Sequence, residues 1–259
     1  MKRTRLLMGM PITIQIAEPR VTESDIASIF DYFASVDRMF STYKKESEIS
    51  RLNAGELTKK QLSADVRQIL QLADDTKKES NGYFNISHNG KIDPSGIVKG
   101  WAIYNAATLL KEHGFQNFYV DAGGDIQVSG KNEKGERWTV GIRNPFKRDE
   151  IVKAVWLEDK GIATSGLYVR GNHIYNPHKP DEPIIGIASM TVIGPTVYDA
   201  DRFATAAFAM GGKGIQFIEK LPGYDGYMID EKGIATMTSR FERFVIHDSK
   251  QGKTQHNTL

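Results

Sequence analysis

Ile26, Ile29, Phe30, Phe33, Val36 and Phe40 recur at intervals of three and four, which predicts an amphipathic helix that Thr22 or Ser24 can cap. Val66, Ile69, Leu70 and Ala73 share one face of a second helix, over about 63–80, which stops at Asn81-Gly82. A third runs over about 97–113 and ends at Gly114. Ahead of these, Ile12, Ile14 and Ile16 alternate with polar residues and predict a strand. Beyond residue 115 the texture changes to short runs, "FYVDAG", "DIQVSG", "WTVGIR", "VKAVWL", "GIATSG" and "SMTVIG", separated by Gly, Asp, Asn and Lys turns. That is the pattern of an antiparallel meander. The segment "TVYDADRFATAAFAMG", residues 196–211, interrupts it with a helix. A short helix follows at about 215–221, and "GYMID" and "GIATMT", joined by "EKG", predict a last hairpin.

The sum is an α+β protein with helices packed on antiparallel sheet. No repeat, low-complexity linker or composition break divides it, so one domain is expected over 1–245. A flexible tail is expected over 246–259, where "DSKQGKTQHNTL" has nothing to bury.

Composition narrows the partners. Lys and Arg number 34 against 32 Asp and Glu, interspersed along the chain, so the field is weak and implies neither nucleic acid nor an anionic membrane. There are no cysteines, which removes disulfides, thiolate metal sites and a cysteine nucleophile together. No run approaches the roughly 18 apolar residues that span a bilayer. "MKRTRLLMGMPITI" reads as a strand, not as a signal core, because Pro11 and the alternating isoleucines interrupt its apolar stretch. A cytoplasmic location is expected, with an exported form whose leader has been removed left as the alternative.

Four segments carry candidate chemistry. "GKIDPSGIVKGWA", 90–102, is a Gly-punctuated loop entering a helix, where first-turn N–H groups and Lys99 favour an anion; it equally reads as a turn with a solvated lysine. "VDAGGDI", 120–126, sets two acids around a Gly-Gly pair, either a tight turn or a ligand loop. In "GNHIYNPHK", 171–179, His173 can serve as a base near neutral pH or as hydrogen-bonded scaffold, and His178 reads as an exposed turn residue. Asp201 and Thr205, four apart, put two hard oxygens on one helix face, a pair suited to Mg²⁺. The structural alternative makes Asp199 the N-cap, Asp201 a first-turn acid and Thr205 a core hydroxyl.

Taken in order, "DPSGIVKGWA", "VDAGGDI", "ATSGLYVRGNHIYNP" and "SMTVIGPTVYDADRFATAAFAMG" resemble the ApbE family of flavin transferases. "MGMP" and "FSTYKKESEISRLN" are similar to that family's amino-terminal motifs, and the likeness spans about 8–212. The resemblance implies a T-fold-like architecture and the activity of an FAD:protein FMN transferase. In that reaction Mg²⁺-bound FAD is cleaved at its pyrophosphate, FMN passes to a Thr or Ser hydroxyl of an acceptor flavoprotein, and AMP leaves.

Carried over by position, the resemblance implies Asp201, Thr205 and the main-chain carbonyl of Gly96 as magnesium ligands. Asp93 and Lys99 match FAD-contacting positions, as do Met8, Tyr43, Tyr83, Phe84 and Asn85, and His173 matches the proton-accepting histidine. The chain departs from the family's usual pattern at Asn176 before Pro177, at Arg202 and Phe203, and in "MGMP". Two other readings remain open: an FAD pyrophosphatase, in which water replaces the acceptor hydroxyl, and an FAD-binding protein without turnover.

Overall fold

The computed structural model describes residues 1–147, 149–166 and 174–247. Eighteen named helices and strands follow in chain order: β1 (Lys2–Leu7), β2 (Met10–Ile16), α1 (Glu23–Phe40), α2 (Glu48–Asn53), α3 (Ala64–Glu79), β3 (Ser87–His88), β4 (Lys91–Ile92), α4 (Ser95–Glu112), β5 (Phe118–Ala122), β6 (Asp125–Ser129), β7 (Trp138–Arg143), β8 (Ile151–Leu157), β9 (Gly161–Gly166), β10 (Ser189–Gly194), α5 (Val197–Ala209), α6 (Gly214–Lys220), β11 (Asp225–Ile229) and β12 (Ala235–Met237). The main sheet is antiparallel throughout, in the order β1-β2-β5-β6-β9-β10-β11-β12.

The period of two decides which side each strand residue serves. Ile12, Ile14 and Ile16 of β2, with Phe118, Val120 and Ala122 of β5, are buried together with the apolar stripes of α1, α3 and α4. Thr13, Gln15, Tyr119 and Asp121 take the opposite face. Farther along, Ala163, Met190 and Val192 pack under α5 and α6. Ile126, Val128, Ile162 and Ile193 point the other way, toward Val140, Val155, Leu157 and Phe241. Helices therefore cover one face of the sheet and the β7–β8 hairpin the other.

That hairpin corrects the expected meander. "WTVGIR" and "VKAVWL" do form β7 and β8, but they pair with each other as a separate two-stranded sheet, and β6 pairs with β9 past them. β8 is closed on its far side by a bridge from Val155 to Val245 and by the Ile246 N–H donating to the Ala154 carbonyl at 2.9 Å. This pairing carries the chain past the expected domain limit at 245, and 248–259 lie outside the described residues.

The helix signals act locally. Thr22 caps α1 in a capping box with Asp25, and Ser63 caps α3. At α5 the cap is Thr196, whose Oγ1 accepts from the Asp199 N–H at 3.1 Å, so Asp199 is the third helical residue and not the N-cap expected from its type. The first turn of α5 sits directly on Gly161: a Cβ there would stand 1.9 Å from the Val197 nitrogen. "MGMP" is the turn from β1 to β2, with Met8 at φ +52° and Gly9 at φ +72°. β1 is the outermost strand, and its Lys2, Arg3 and Arg5 are exposed; β12, at the other rim, has three residues.

Candidate active site

The floor of the site is the crossing of α4 and α5. Gly100 permits it, because a Cβ there would meet the Asp201 Cβ at 2.7 Å and the Val197 carbonyl oxygen at 2.9 Å. Its N–H donates to Asp201 Oδ2 at 2.8 Å, and Asp201 is only 3% exposed. Asp201 is therefore a buried carboxyl held by helix backbone and not a solvent-facing dipole partner. One turn on, Thr205 Oγ1 lies 3.2 Å from Ser165 Oγ. A Cβ at Gly96 would touch Thr205, 3.4 Å from Cγ2 and 3.8 Å from Oγ1, so Gly96 and Thr205 are immediate neighbours.

Lys99 projects between two carboxylates. Its Nζ is 2.5 Å from Asp125 Oδ2 and 3.6 Å from Asp201 Oδ1. Asp125 is buried, and its other oxygen accepts from the Thr164 N–H at 3.0 Å. Charges removed from water need partners, and here the Lys99 ammonium faces two carboxylates. No group of three or more His, Cys, Asp or Glu residues converges among the described residues. One carboxylate, one hydroxyl and a nearby main-chain carbonyl match Mg²⁺, which takes few protein ligands and completes its shell from phosphate and water.

A cleft of about 1400 Å³ opens above this floor, larger than the roughly 300–1,000 Å³ of ordinary ligand sites. Tyr83, Phe84 and Asn85 form one wall, with Phe84 Cε2 3.5 Å from the Cβ position of Gly96. Asp93 also lines it, its Oδ1 accepting from the Ser95 N–H at 3.0 Å at the start of α4, where Pro94 offers no cap of its own. Asn53 of α2 holds the strand before it by accepting from the Ile92 N–H and donating to the Ile92 carbonyl, both at 2.8 Å. The segment after the undescribed stretch is tied to the same wall. Tyr175 donates its hydroxyl to the Ser87 carbonyl at 2.8 Å, and His178, exposed as expected, stacks edge-on against Tyr83.

On the sheet side stands Asp121, whose carboxyl is pushed up to about 6. Burial is the main cause and the nearby Asp125 charge adds to it, against the Gly124 N–H, which donates to Asp121 Oδ1 at 2.8 Å, and the positive charges of Arg143 and Lys2.

Gly96, Lys99, Asp93, Tyr83, Phe84, Asn85, Asp201 and Thr205 thus line one cleft. Tyr43 does not: it is 95% exposed, although its neighbour Thr42 lines the cleft. Met8 is half-buried against the helix-side core, while Gly9 and Met10 reach the cleft. His173 lies outside the described residues. Asn53, Asp121, Asp125, Ser165 and Tyr175 were not singled out as site residues from sequence, although all five stand in segments that were.

Fold and site together define an α+β protein with a large cleft between a helix crossing and a sheet. The chain belongs to the ApbE family, whose profile matches residues 8–90 and 87–228. It is 29% identical over 169 residues to the FAD:protein FMN transferase of Salmonella typhimurium, covering 61% of this chain and 48% of that protein. To the protein of the same name from Haemophilus influenzae it is 32% identical over 158 residues, 56% of this chain and 45% of that one. The chain spans about half the length of the curated relatives it matches. The structure of the flavin transferase ApbE from Vibrio cholerae superposes with a TM-score of 0.81 at 22% identity, over 94% of this chain and 98% of that one. The ApbE protein from Thermotoga maritima superposes with a TM-score of 0.84 at 20% identity, over 95% and 99%. The expected ApbE architecture is the one observed.

Proposed function

We propose that this chain is an FAD:protein FMN transferase that moves the FMN moiety of FAD onto a threonine or serine hydroxyl of an acceptor flavoprotein, releasing AMP, with Mg²⁺ as its metal. The observation that carries the reading is the meeting of Asp201, Thr205 and Gly96 at one end of a dinucleotide-sized cleft, beside Lys99. The relatives' name agrees with it.

The acceptor oxygen bonds to the FMN-side phosphorus of the pyrophosphate while the bond from that phosphorus to the bridging oxygen breaks. AMP departs with the bridging oxygen, and the hydroxyl proton passes to a base, a role the family resemblance gives to His173. Such a transfer asks the protein mainly for positioning and for neutralisation of developing charge. Bound by Asp201, Thr205 and the Gly96 carbonyl, Mg²⁺ would supply that neutralisation. The chain's own residues do the rest. The Gly100 N–H fixes the Asp201 carboxylate, Asp125 orients the Lys99 ammonium, and the Tyr83–Asn85 wall gives the flavin or adenine ring a surface to lie against.

Incubation with FAD, Mg²⁺ and a candidate flavoprotein fragment, followed by intact-mass measurement, tests this. The fragment is expected to gain the mass of FMN less water as AMP appears in equal amount. Free FMN and AMP with no mass gain mean hydrolysis, and FAD recovered intact means a binding protein. Asp201→Asn, which keeps the volume and loses the charge, is expected to lower turnover about 10²-fold or more; near-normal Mg²⁺-dependent turnover would take Asp201 off the metal.

A further inference from the structure

Among the described residues, β7 is paired on one side only. From the far side of β8, Ile246 donates to the Ala154 carbonyl, and Ala154 is the register partner of Gly141. In an antiparallel ladder, residues that face each other exchange both hydrogen bonds or neither. Gly141 therefore turns its N–H and C=O away from β8, and so, two residues earlier, does Thr139. The outer side of β8 is closed by Val245 and Ile246, whereas no described strand closes the outer side of β7.

Thr139 and Gly141 line the same cleft as Asp201 and Thr205. β7 holds no proline and Gly141 presents bare backbone, while Arg143 and a register shift between Ile142 and Arg143 mark the end of the open stretch. Arg143, at the end of the strand, and Lys2, across the cleft, are both near Asp121, and Asp125, the other carboxylate beside it, has its own ion pair with Lys99.

We propose that β7 is the docking strand for the acceptor, a proposal that rests on the transfer reading above. An extended stretch of the acceptor flavoprotein, bearing the Thr or Ser hydroxyl and an acidic side chain, adds to β7 through main-chain hydrogen bonds at Thr139 and Gly141. Its acid faces Arg143 and Lys2, and its hydroxyl lies along the cleft. Strand addition of this kind takes affinity from main-chain bonds and selectivity from the side chains between them.

The test uses the full chain with FAD, Mg²⁺ and a pool of twelve-residue peptides that have a fixed central threonine and are otherwise random. Peptides that gain FMN are expected to be enriched in Asp or Glu on one side of the threonine. Adding a labelled sequence, resynthesised, is expected to slow hydrogen exchange at the Thr139 and Gly141 amides about 10-fold. Thr139→Pro removes the outward N–H at a position where an open-edge strand accepts proline, and is expected to cut kcat/KM for the peptide about 10-fold in protein that still binds FAD. Arg143→Glu is expected to shift the labelled pool from acidic to basic residues, which needs no loss of a backbone bond. Protection at other amides, unchanged labelling by Thr139→Pro, or a pool indifferent to Arg143→Glu each overturn the docking strand alone. Wild-type protein that releases FMN and AMP and labels no peptide overturns the transfer reading, and the docking strand with it.

Discussion

Lys99 is held between Asp125 and Asp201, and this small cluster sets what each residue can do. Asp201 and Thr205 are one turn apart on a single helix, so their common face could be read from spacing. Asp125 arrives from a strand far along the chain, and nothing local to "VDAGGDI" says that its carboxylate will meet a lysine on α4. The same loop holds Asp121, a titratable group that burial makes costly to ionise. Its carboxyl ionises near 6 in the fold against 3.8 ordinarily, so the unfolded chain loses its proton first as pH rises. Stability on this account is complete below about pH 4, falls between about 4 and 6, and stays reduced above. Asp121→Asn is expected to raise the thermal midpoint at pH 7.5 and to leave it nearly unchanged at pH 4. An equal change at both values would mean that the carboxylate carries no burial cost.

At the scale of elements, the helices and the strands that bury one face were legible, because burial on one side imprints a period. α1, α3, α5 and β2 fall where their apolar spacing put them. β1 was not told apart from β2, the opening stretch having been read as one strand, since all residues of β1 but Leu7 are exposed and it shows no alternation; it exists by pairing with β2. α2 is six residues with one buried side chain, too short to show a stripe, yet it delivers Asn53 to the wall of the cleft. The β7–β8 hairpin was legible as two strands and misassigned to the main sheet, because alternation reports a covered face and not which element covers it. One close contact between elements is the crossing at Gly100. Gly100→Ala would gain up to about 1 kcal/mol in helix propensity. The added methyl instead meets a backbone carbonyl at 2.9 Å, so a net loss of about 1–3 kcal/mol is expected in urea denaturation. Turnover should fall too, since the shift moves Asp201; an unchanged midpoint with full activity would show that the helices can part without consequence.

Across the whole molecule, one sheet serves two purposes: its helix-side face is packed, and the other face is shared between the hairpin and the cleft. The helical layer is tied together by Arg202. Its guanidinium donates to Asp199 at 2.8 and 3.0 Å and to Glu79 of α3, reaches Thr76 at 3.3 Å, and lies over the Phe203 ring. Arg202→Leu is expected to destabilise by about 1–3 kcal/mol, less than a fully buried pair would, because the Glu79 side chain is half exposed and regains water. Urea midpoints measure the loss, and activity at 25 °C should survive it; a stabilised variant would make the ionic tie a net cost.

The two rims of that sheet also govern how copies of the molecule meet. Lys2, Arg3 and Arg5 stand exposed along β1, and the opposite rim is a strand of three residues. Rim-to-rim stacking would crowd like charges on one side and find little backbone to grip on the other, so the sheet resists growing into fibrils or ribbons at high concentration. That protection is partly electrostatic and weakens with salt, which makes ionic strength the variable to watch when the protein is concentrated.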